Sequence, residues 1–128
     1  MQPNGGDYRT KNSINQIYRI EVVGGAINPN NIRIKYSANG LSDKSRFITI
    51  DHAYIGGITY INCENRINTE IISDGFLISI SDITELQTDQ SIVIQLRCCY
   101  VDWSNFSISN ETIEVYYNDV LVQRDLIP

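Results

Sequence analysis

The residue most often found in catalytic sites is the single histidine of the chain, His52. Asp51 precedes it directly, and a histidine with a carboxylate partner can act as a general base. Neighbouring residues of a strand point to opposite faces, however, so Asp51 is badly placed to orient His52. We therefore expect a surface or loop-edge histidine. A small enzyme would require His52 to lie in a cleft beside a carboxylate.

Motifs for catalysis and cofactor binding are missing from the sequence. There is no G-x-S-x-G nucleophile motif, no phosphate-binding loop and no H-E-x-x-H zinc motif. The acidic residues near turns lack the spacing of a calcium loop, and Asp is common in turns because its side chain bonds the local backbone. These residues are Asp74, Asp82, Asp89, Asp102 and Asp119. The sequence therefore predicts no enzyme and no catalytic, cofactor-binding or metal-ligating residues.

Aromatic side chains are the other candidates for recognition chemistry. Aromatic rings favour strands and cores, and they are equally at home in protein interfaces. Rings exposed together on one face of a sheet would instead form a platform on which sugar rings stack. We rank a core position first, a subunit contact second and a sugar platform third for Trp103, Tyr54, Tyr60, Tyr100, Tyr116 and Tyr117.

Charge and hydropathy exclude several classes of partner. The net charge is -5, so nucleic-acid phosphates and anionic lipid headgroups are not attracted to the chain. No apolar segment reaches the length of about 18 residues that a membrane helix needs. The N-terminal stretch MQPNGGDYRTKNS lacks the apolar region of a secretory signal. We expect no nucleic-acid partner, no membrane partner and no export through a signal peptide.

The three cysteines are Cys63, Cys98 and Cys99, and they form no recognisable framework. An odd number without regular spacing argues against disulfides. A zinc site would lack ligands, because there is no C-x-x-C pair and only one histidine. We expect small buried apolar residues in a reducing cytoplasm.

The stretch Gln90–Trp103 organises the rest of the chain as a central strand. It is a long apolar run, rich in residues that favour strands. With a period of two, its even-numbered residues from Ile92 to Tyr100 form one apolar face. The odd-numbered residues from Val93 to Val101 form a mixed face. This pattern is typical of a strand with one side on a core and the other partly in water.

Turn signals divide the remaining chain into further short strands. Three hairpins are predicted, with turns at Gly56-Gly57, Asp74-Gly75 and Asn118-Asp119. The segment Asp82–Gln87 could form one helical turn, with Asp82 as its cap. No long helix is predicted.

The length and the strand pattern indicate one domain with an arm. Residues 1–13 are polar and have no periodicity, which predicts a flexible N-terminal arm. Residues 14–128 are expected to fold as an all-β domain of eight to ten short strands. The predicted architecture is an antiparallel β-sandwich, either Ig-like or jelly-roll.

The general build of the chain resembles small β-sandwich structural proteins of tailed-phage virions. The resemblance lies in the short chain, the Asn- and Ile-rich strands, the polar arm with Gly5 and Gly6, and the lack of a signal or catalytic set. It implies a bacteriophage capsid-decoration, connector or tail part, located in the virion and made in the host cytoplasm. Such an assembly protein would bind copies of itself or other structural proteins through its arm and edge strands. The alternative is a carbohydrate-binding or adhesin-type module, which predicts an exposed Trp103 or tyrosine cluster.

Overall fold

The computed structural model describes residues 2–3, 12–22, 25–41, 44–57, 60–83 and 85–127. These residues form ten strands and two short 3-10 turns, Pro29–Asn31 and Glu64–Arg66. The strands are β1 (Gln2–Pro3), β2 (Ile14–Glu21), β3 (Ile32–Asn39), β4 (Arg46–Gly56), β5 (Ile61–Asn62), β6 (Ile67–Ile72), β7 (Gly75–Ile80), β8 (Ser91–Tyr100), β9 (Ser109–Tyr117) and β10 (Val120–Ile127).

The strands form two sheets of five strands each, and every pairing is antiparallel. Sheet 1 has the order β1-β2-β8-β4-β5, and sheet 2 has the order β10-β9-β3-β7-β6. The predicted all-β sandwich is therefore confirmed. Strand β8 is the central strand of sheet 1, as its sequence predicts, because β2 and β4 pair along its two sides.

The core lies between the inner faces of the two sheets. From sheet 1, Ile92, Ile94 and Leu96 of β8 are fully buried, in agreement with their predicted alternation. From sheet 2, Tyr36 and Phe76 are buried, and their rings stack with centroids 4.8 Å apart. Burial of each such side chain stabilises the fold by about 1.5–3 kcal/mol, so the sandwich is held by side chains of alternate positions.

Two of the predicted hairpins form, one with its turn at the predicted residues and one with its turn shifted. The predicted turn at Asn118-Asp119 forms, and the positive φ angles of these residues, 51° and 65°, are those of a type I′ hairpin. The β6–β7 hairpin also forms, but its turn residues are Ser73 and Asp74, because Ile72 pairs with Gly75. Gly75 is needed inside the strand, since a Cβ there would collide with the carbonyl oxygen of Tyr36 on β3.

Two local predictions are wrong. Strand β4 continues to Gly56 and pairs with Ile61–Asn62, so a longer loop replaces the two-residue turn at Gly56-Gly57. The described residues of the segment 82–87 form no helical turn. Asp82 has a φ of 59°, and Leu86 makes an isolated β-bridge with Ile27 instead.

The N-terminal prediction is only partly covered by the described residues. Gln2 and Pro3 form the short strand β1, which pairs with Ile17 and Gln16 of β2. Residues 1 and 4–11 lie outside the description, so the division into an arm (1–13) and a domain (14–128) stays a prediction. None of the described residues belongs to a helix with the length and hydropathy needed to cross a bilayer.

Candidate functional site

Aromatic side chains stand on the outer face of sheet 1, the side that points away from the core. At one end, the Trp103 ring meets the Phe47 ring edge to face, with centroids 5.7 Å apart. Trp103 is 59% exposed, although tryptophan is a side chain that proteins usually bury to a large extent. The two rings therefore form an aromatic pair at the surface of sheet 1.

A hydrogen-bonded turn fixes the position of Trp103. Its backbone has a φ of 63°, in the left-handed region that disfavours L side chains by about 1 kcal/mol. The Asp102 carboxylate accepts hydrogen bonds from the Ser104 hydroxyl (2.6 Å) and the Ser104 backbone N–H (3.0 Å), and Lys44 Nζ lies 3.3 Å from it. The hydrogen bonds from Ser104 lower the pKa of Asp102 below its ordinary value, and the nearby Lys44 ammonium lowers it by a smaller amount. The charged turn therefore holds Trp103 outward.

An ion pair occupies the middle of the same face. Arg97 of β8 donates from Nε to Asp51 Oδ1 at 3.0 Å. Asp51 is the extra residue of a β-bulge, because the pairing of β4 with β8 shifts between Ile50 and His52. The bulge places Asp51 and His52 on the outer face together. The expectation that they point to opposite faces is therefore wrong.

The far end of the face is a cluster of three rings. Tyr60 is 60% exposed, and its hydroxyl lies 2.6 Å from His52 Nε2. The Tyr60 ring is within 22° of parallel to both the His52 ring and the Tyr54 ring, at centroid distances of 5.9 and 4.9 Å. On its other nitrogen, His52 Nδ1 lies 3.2 Å from Glu64 Oε1. Two polar contacts of His52 thus join Tyr60 to Glu64, and Tyr54 completes the cluster through ring contacts.

These side chains form a line along β4 that we call the aromatic strip. Phe47 and Tyr54 are seven residues apart on this strand. One of the intervening residues is the bulge, so the separation corresponds to about 20 Å. Two outward-facing amides flank the line, Asn15 of β2 and Gln95 of β8. The aromatic strip consists of Phe47, Asp51, His52, Tyr54, Tyr60, Arg97 and Trp103.

The structure separates the six aromatic residues that the sequence analysis ranked together. Tyr100 is buried against Phe106, as the first-ranked interpretation predicts. Tyr116 and Tyr117 belong to β9 in the other sheet. A core position is wrong for Trp103 and Tyr60, which share the outer face with Tyr54. An exposed tryptophan and tyrosine cluster is the pattern that the carbohydrate-binding alternative predicts.

Catalytic and metal chemistry find little support at the other candidate residues. His52 is half-buried in an open face and has Glu64 and Tyr60 as partners. Among the described residues, no three side chains of His, Cys, Asp or Glu are placed to hold one metal ion. Cys63, Cys98 and Cys99 are free and buried. Burial raises the pKa of the Cys98 thiol to about 12, so it is a packing residue at neutral pH. The absence of catalytic and cofactor-binding residues stays a prediction.

The sandwich has well-matched relatives among solved structures. Its fold is that of family 3 carbohydrate-binding modules. The CBM3a-L domain, with flanking linkers, of the scaffoldin cipA from the cellulosome of Clostridium thermocellum superposes with a TM-score of 0.78 at 24% identity, covering 93% of this chain and 84% of that domain. A family IIIa CBD from Clostridium cellulolyticum gives a TM-score of 0.73 at 21% identity, covering 88% of this chain and 86% of that one.

More distant members of the same structural group also match. The biomass-sensing modules of putative RsgI-like proteins of Clostridium thermocellum, which resemble family 3 modules, give a TM-score of 0.72 at 12% identity, over 92% and 90% of the two chains. No protein-family model matches the chain, and no curated protein matches it. At these identities the likeness establishes the fold.

The comparisons correct the resemblance to tailed-phage virion proteins, which is wrong. The structural neighbours are carbohydrate-binding modules, several of them from cellulosomes, and the fold is theirs over nearly the whole chain. The predicted function as a capsid-decoration, connector or tail part falls with that resemblance, and so does the virion location. General build misled the interpretation, because a composition suited to strands and turns does not distinguish one class of β-sandwich from another.

Proposed function

We propose that this chain is a carbohydrate-binding module whose aromatic strip binds the flat surface of a β-linked glucan such as crystalline cellulose. The observation that carries the proposal is the line of rings that follows β4, with an exposed ring at each end. Trp103 stands at one end and Tyr60 at the other, with the Asp51–Arg97 pair between them.

The chemistry of the strip fits a neutral polysaccharide. The two faces of a β-linked glucose ring carry C–H groups, and the hydroxyls point outward around its rim. Aromatic rings pack against such faces, and hydroxyls at the rim can bond to flanking polar groups such as Gln95 and Asn15. The ion pair brings no net charge to the strip, because Asp51 and Arg97 neutralise each other.

The shape of the site favours a surface over a single enclosed chain. Residues of the strip lie on the outside of a sheet, and its two most prominent rings are more than half exposed. A line of about 20 Å spans several consecutive sugar rings. An array of glucan chains presents such a flat, repeating apolar surface, whereas a soluble branched glycan does not.

We infer that the chain acts by binding alone. Three carboxylates of the strip region are each engaged, Asp51 with Arg97, Glu64 with His52, and Asp102 with Ser104 and Lys44. The structural neighbours are described as carbohydrate-binding modules, which supports the same inference. The partner is therefore a polysaccharide, in place of the structural proteins expected from the sequence.

Depletion of the protein from solution by microcrystalline cellulose tests the proposal. Wild type, Trp103→Ala and Tyr116→Ala are incubated with the solid, and the free protein is measured over a concentration series. Tyr116 is the control because it carries the same kind of side chain on the outer face of sheet 2. Circular dichroism and thermal unfolding establish that all three proteins are folded.

We expect wild type and Tyr116→Ala to bind alike. Trp103→Ala should bind about 30-fold more weakly, as expected for the loss of an aromatic contact worth about 2 kcal/mol. A wild-type protein that stays in solution at every cellulose concentration would refute the proposed function. Equal binding by Trp103→Ala would refute the role of the aromatic strip.

A further inference from the structure

We propose that Glu64 is a positioning residue, which fixes the tautomer of His52 and thereby the orientation of Tyr60 in the aromatic strip. The inference rests on the proposed function and deepens it. Glu64 contacts His52 and acts on Tyr60 only through that ring.

The two nitrogens of the His52 ring have different partners. Nδ1 lies 3.2 Å from Glu64 Oε1, and Nε2 lies 2.6 Å from the Tyr60 hydroxyl. A carboxylate can only accept, so Nδ1 must carry the proton that joins it to Glu64. In the neutral ring, Nε2 then has a lone pair and accepts a hydrogen bond from the Tyr60 hydroxyl. The Glu64 carboxylate thus fixes the direction of both hydrogen bonds of the His52 ring.

Glu64 is itself held in place by the local backbone. It begins the 3-10 turn Glu64–Arg66, and its N–H donates to Asn62 Oδ1 at 3.1 Å. The turn is anchored to β4, because the N–H of buried Cys63 donates to the carbonyl oxygen of Ala53 at 2.9 Å. The carboxylate is therefore presented to His52 by a fixed frame.

The energetics favour an orienting role over a stabilising one. The His52 and Glu64 side chains are each 39% exposed, and contacts of this kind contribute little to the free energy of unfolding. Their geometric effect is larger, because a histidine ring without a partner on Nδ1 can rotate or exchange tautomers. Rotation removes the acceptor from the Tyr60 hydroxyl, and a tautomer exchange reverses the bond, so that Nε2–H donates to the hydroxyl oxygen. Either change alters the hydrogen bond that orients the Tyr60 ring, which is 60% exposed at the end of the strip.

Two variants of Glu64 separate orientation from charge. Glu64→Ala removes the acceptor, whereas Glu64→Gln keeps an acceptor oxygen and removes the charge. Glu70→Ala is the matched control, because Glu70 is an exposed glutamate of β6 in the other sheet. Thermal unfolding establishes that each variant is folded before its binding is compared.

The first measurement is the ¹⁵N NMR signature of the histidine ring, recorded without any ligand. The chain has one histidine, so the ring signals belong to His52 without further assignment. We expect the Nδ1–H tautomer in wild type, Glu64→Gln and Glu70→Ala at neutral pH, and a shift towards the Nε2–H tautomer in Glu64→Ala. A wild-type ring in the Nε2–H form, or an unchanged signature in Glu64→Ala, would overturn the inference.

The second measurement is binding to microcrystalline cellulose. Glu64→Ala should bind about fivefold more weakly, which corresponds to the loss of one hydrogen bond, while the Gln and Glu70 variants stay near wild type. Full binding by Glu64→Ala would overturn the positioning role. If wild type binds no cellulose, the proposed function fails, and the NMR signature still decides the role of Glu64.

Discussion

Removal of one partner of the Asp51–Arg97 pair should affect binding far more than folding. The two side chains make one contact, from Arg97 Nε to Asp51 Oδ1 at 3.0 Å. The Asp51 side chain is 32% exposed and the Arg97 side chain 47%. In bulk water, charges at this distance attract by about 1.4 kcal/mol. Side-chain ordering and screening reduce the net contribution of exposed pairs to about 0.2–1 kcal/mol. Arg97→Ala should therefore lower the free energy of unfolding by less than about 1 kcal/mol.

A bound cellulose surface makes the loss of one partner more costly, because it removes water from the strip. In Arg97→Ala, the Asp51 carboxylate would lie unpaired beneath an apolar ring face. Leaving such a group without a partner costs about 1–3 kcal/mol, which corresponds to roughly 5- to 150-fold weaker binding. In Asp51→Ala, the Arg97 guanidinium likewise loses the carboxylate it contacts and is covered by the cellulose surface. The double variant has no stranded charge and should bind better than either single variant.

A double-mutant cycle on the two residues tests this reasoning. Urea unfolding gives the stability of wild type, Asp51→Ala, Arg97→Ala and the double variant, and depletion isotherms on crystalline cellulose give their affinities. The reasoning is refuted if the double variant binds more weakly than both single variants. It is also refuted if either single variant loses more than about 2 kcal/mol of stability, since the pair would then be a structural element.

Two further predictions concern the fold. Gly75→Ala should lower the free energy of unfolding in urea by about 2–3 kcal/mol, because its Cβ would meet the Tyr36 carbonyl oxygen, whereas Gly25→Ala, with open space around it, should change little. Arg124 lowers the pKa of Glu114 below its ordinary value of 4.5, so this carboxylate stabilises the fold at neutral pH and loses its contribution as the pH falls below that value. Glu114→Gln should therefore lose less stability than wild type between neutral pH and about pH 3; equal losses in urea unfolding would contradict this assignment.

Much of the fold could be predicted because hydrophobic alternation directly reports one buried face. Ile92, Ile94 and Leu96 point into the core as their spacing predicts, and Asn118 and Asp119 form the predicted hairpin turn. Local signals fail where tertiary contacts compete with them. At Gly75, the close approach of Tyr36 moves the hairpin turn back by one residue.

The site was harder to predict, because it depends on contacts that a period of two does not encode. The bulge at Asp51 breaks the alternation and brings Asp51 and His52 to one face. Trp103 has the residue type of a core side chain, and only the left-handed turn held by Asp102 directs it outward. The sequence does contain one usable signal, since the aspartate and serine on either side of Trp103 are typical of an exposed turn.

The central claim is that the outer face of sheet 1, led by Trp103, lies against the polysaccharide. Trp103 is the only tryptophan of the chain, so acrylamide quenching of its fluorescence reports directly on that face. On binding to cellulose nanocrystals, the quenching constant should fall severalfold from the value expected for a side chain that is 59% exposed. Protein that is bound to the nanocrystals while Trp103 remains fully quenchable would contradict the account, since binding would then occur through another face.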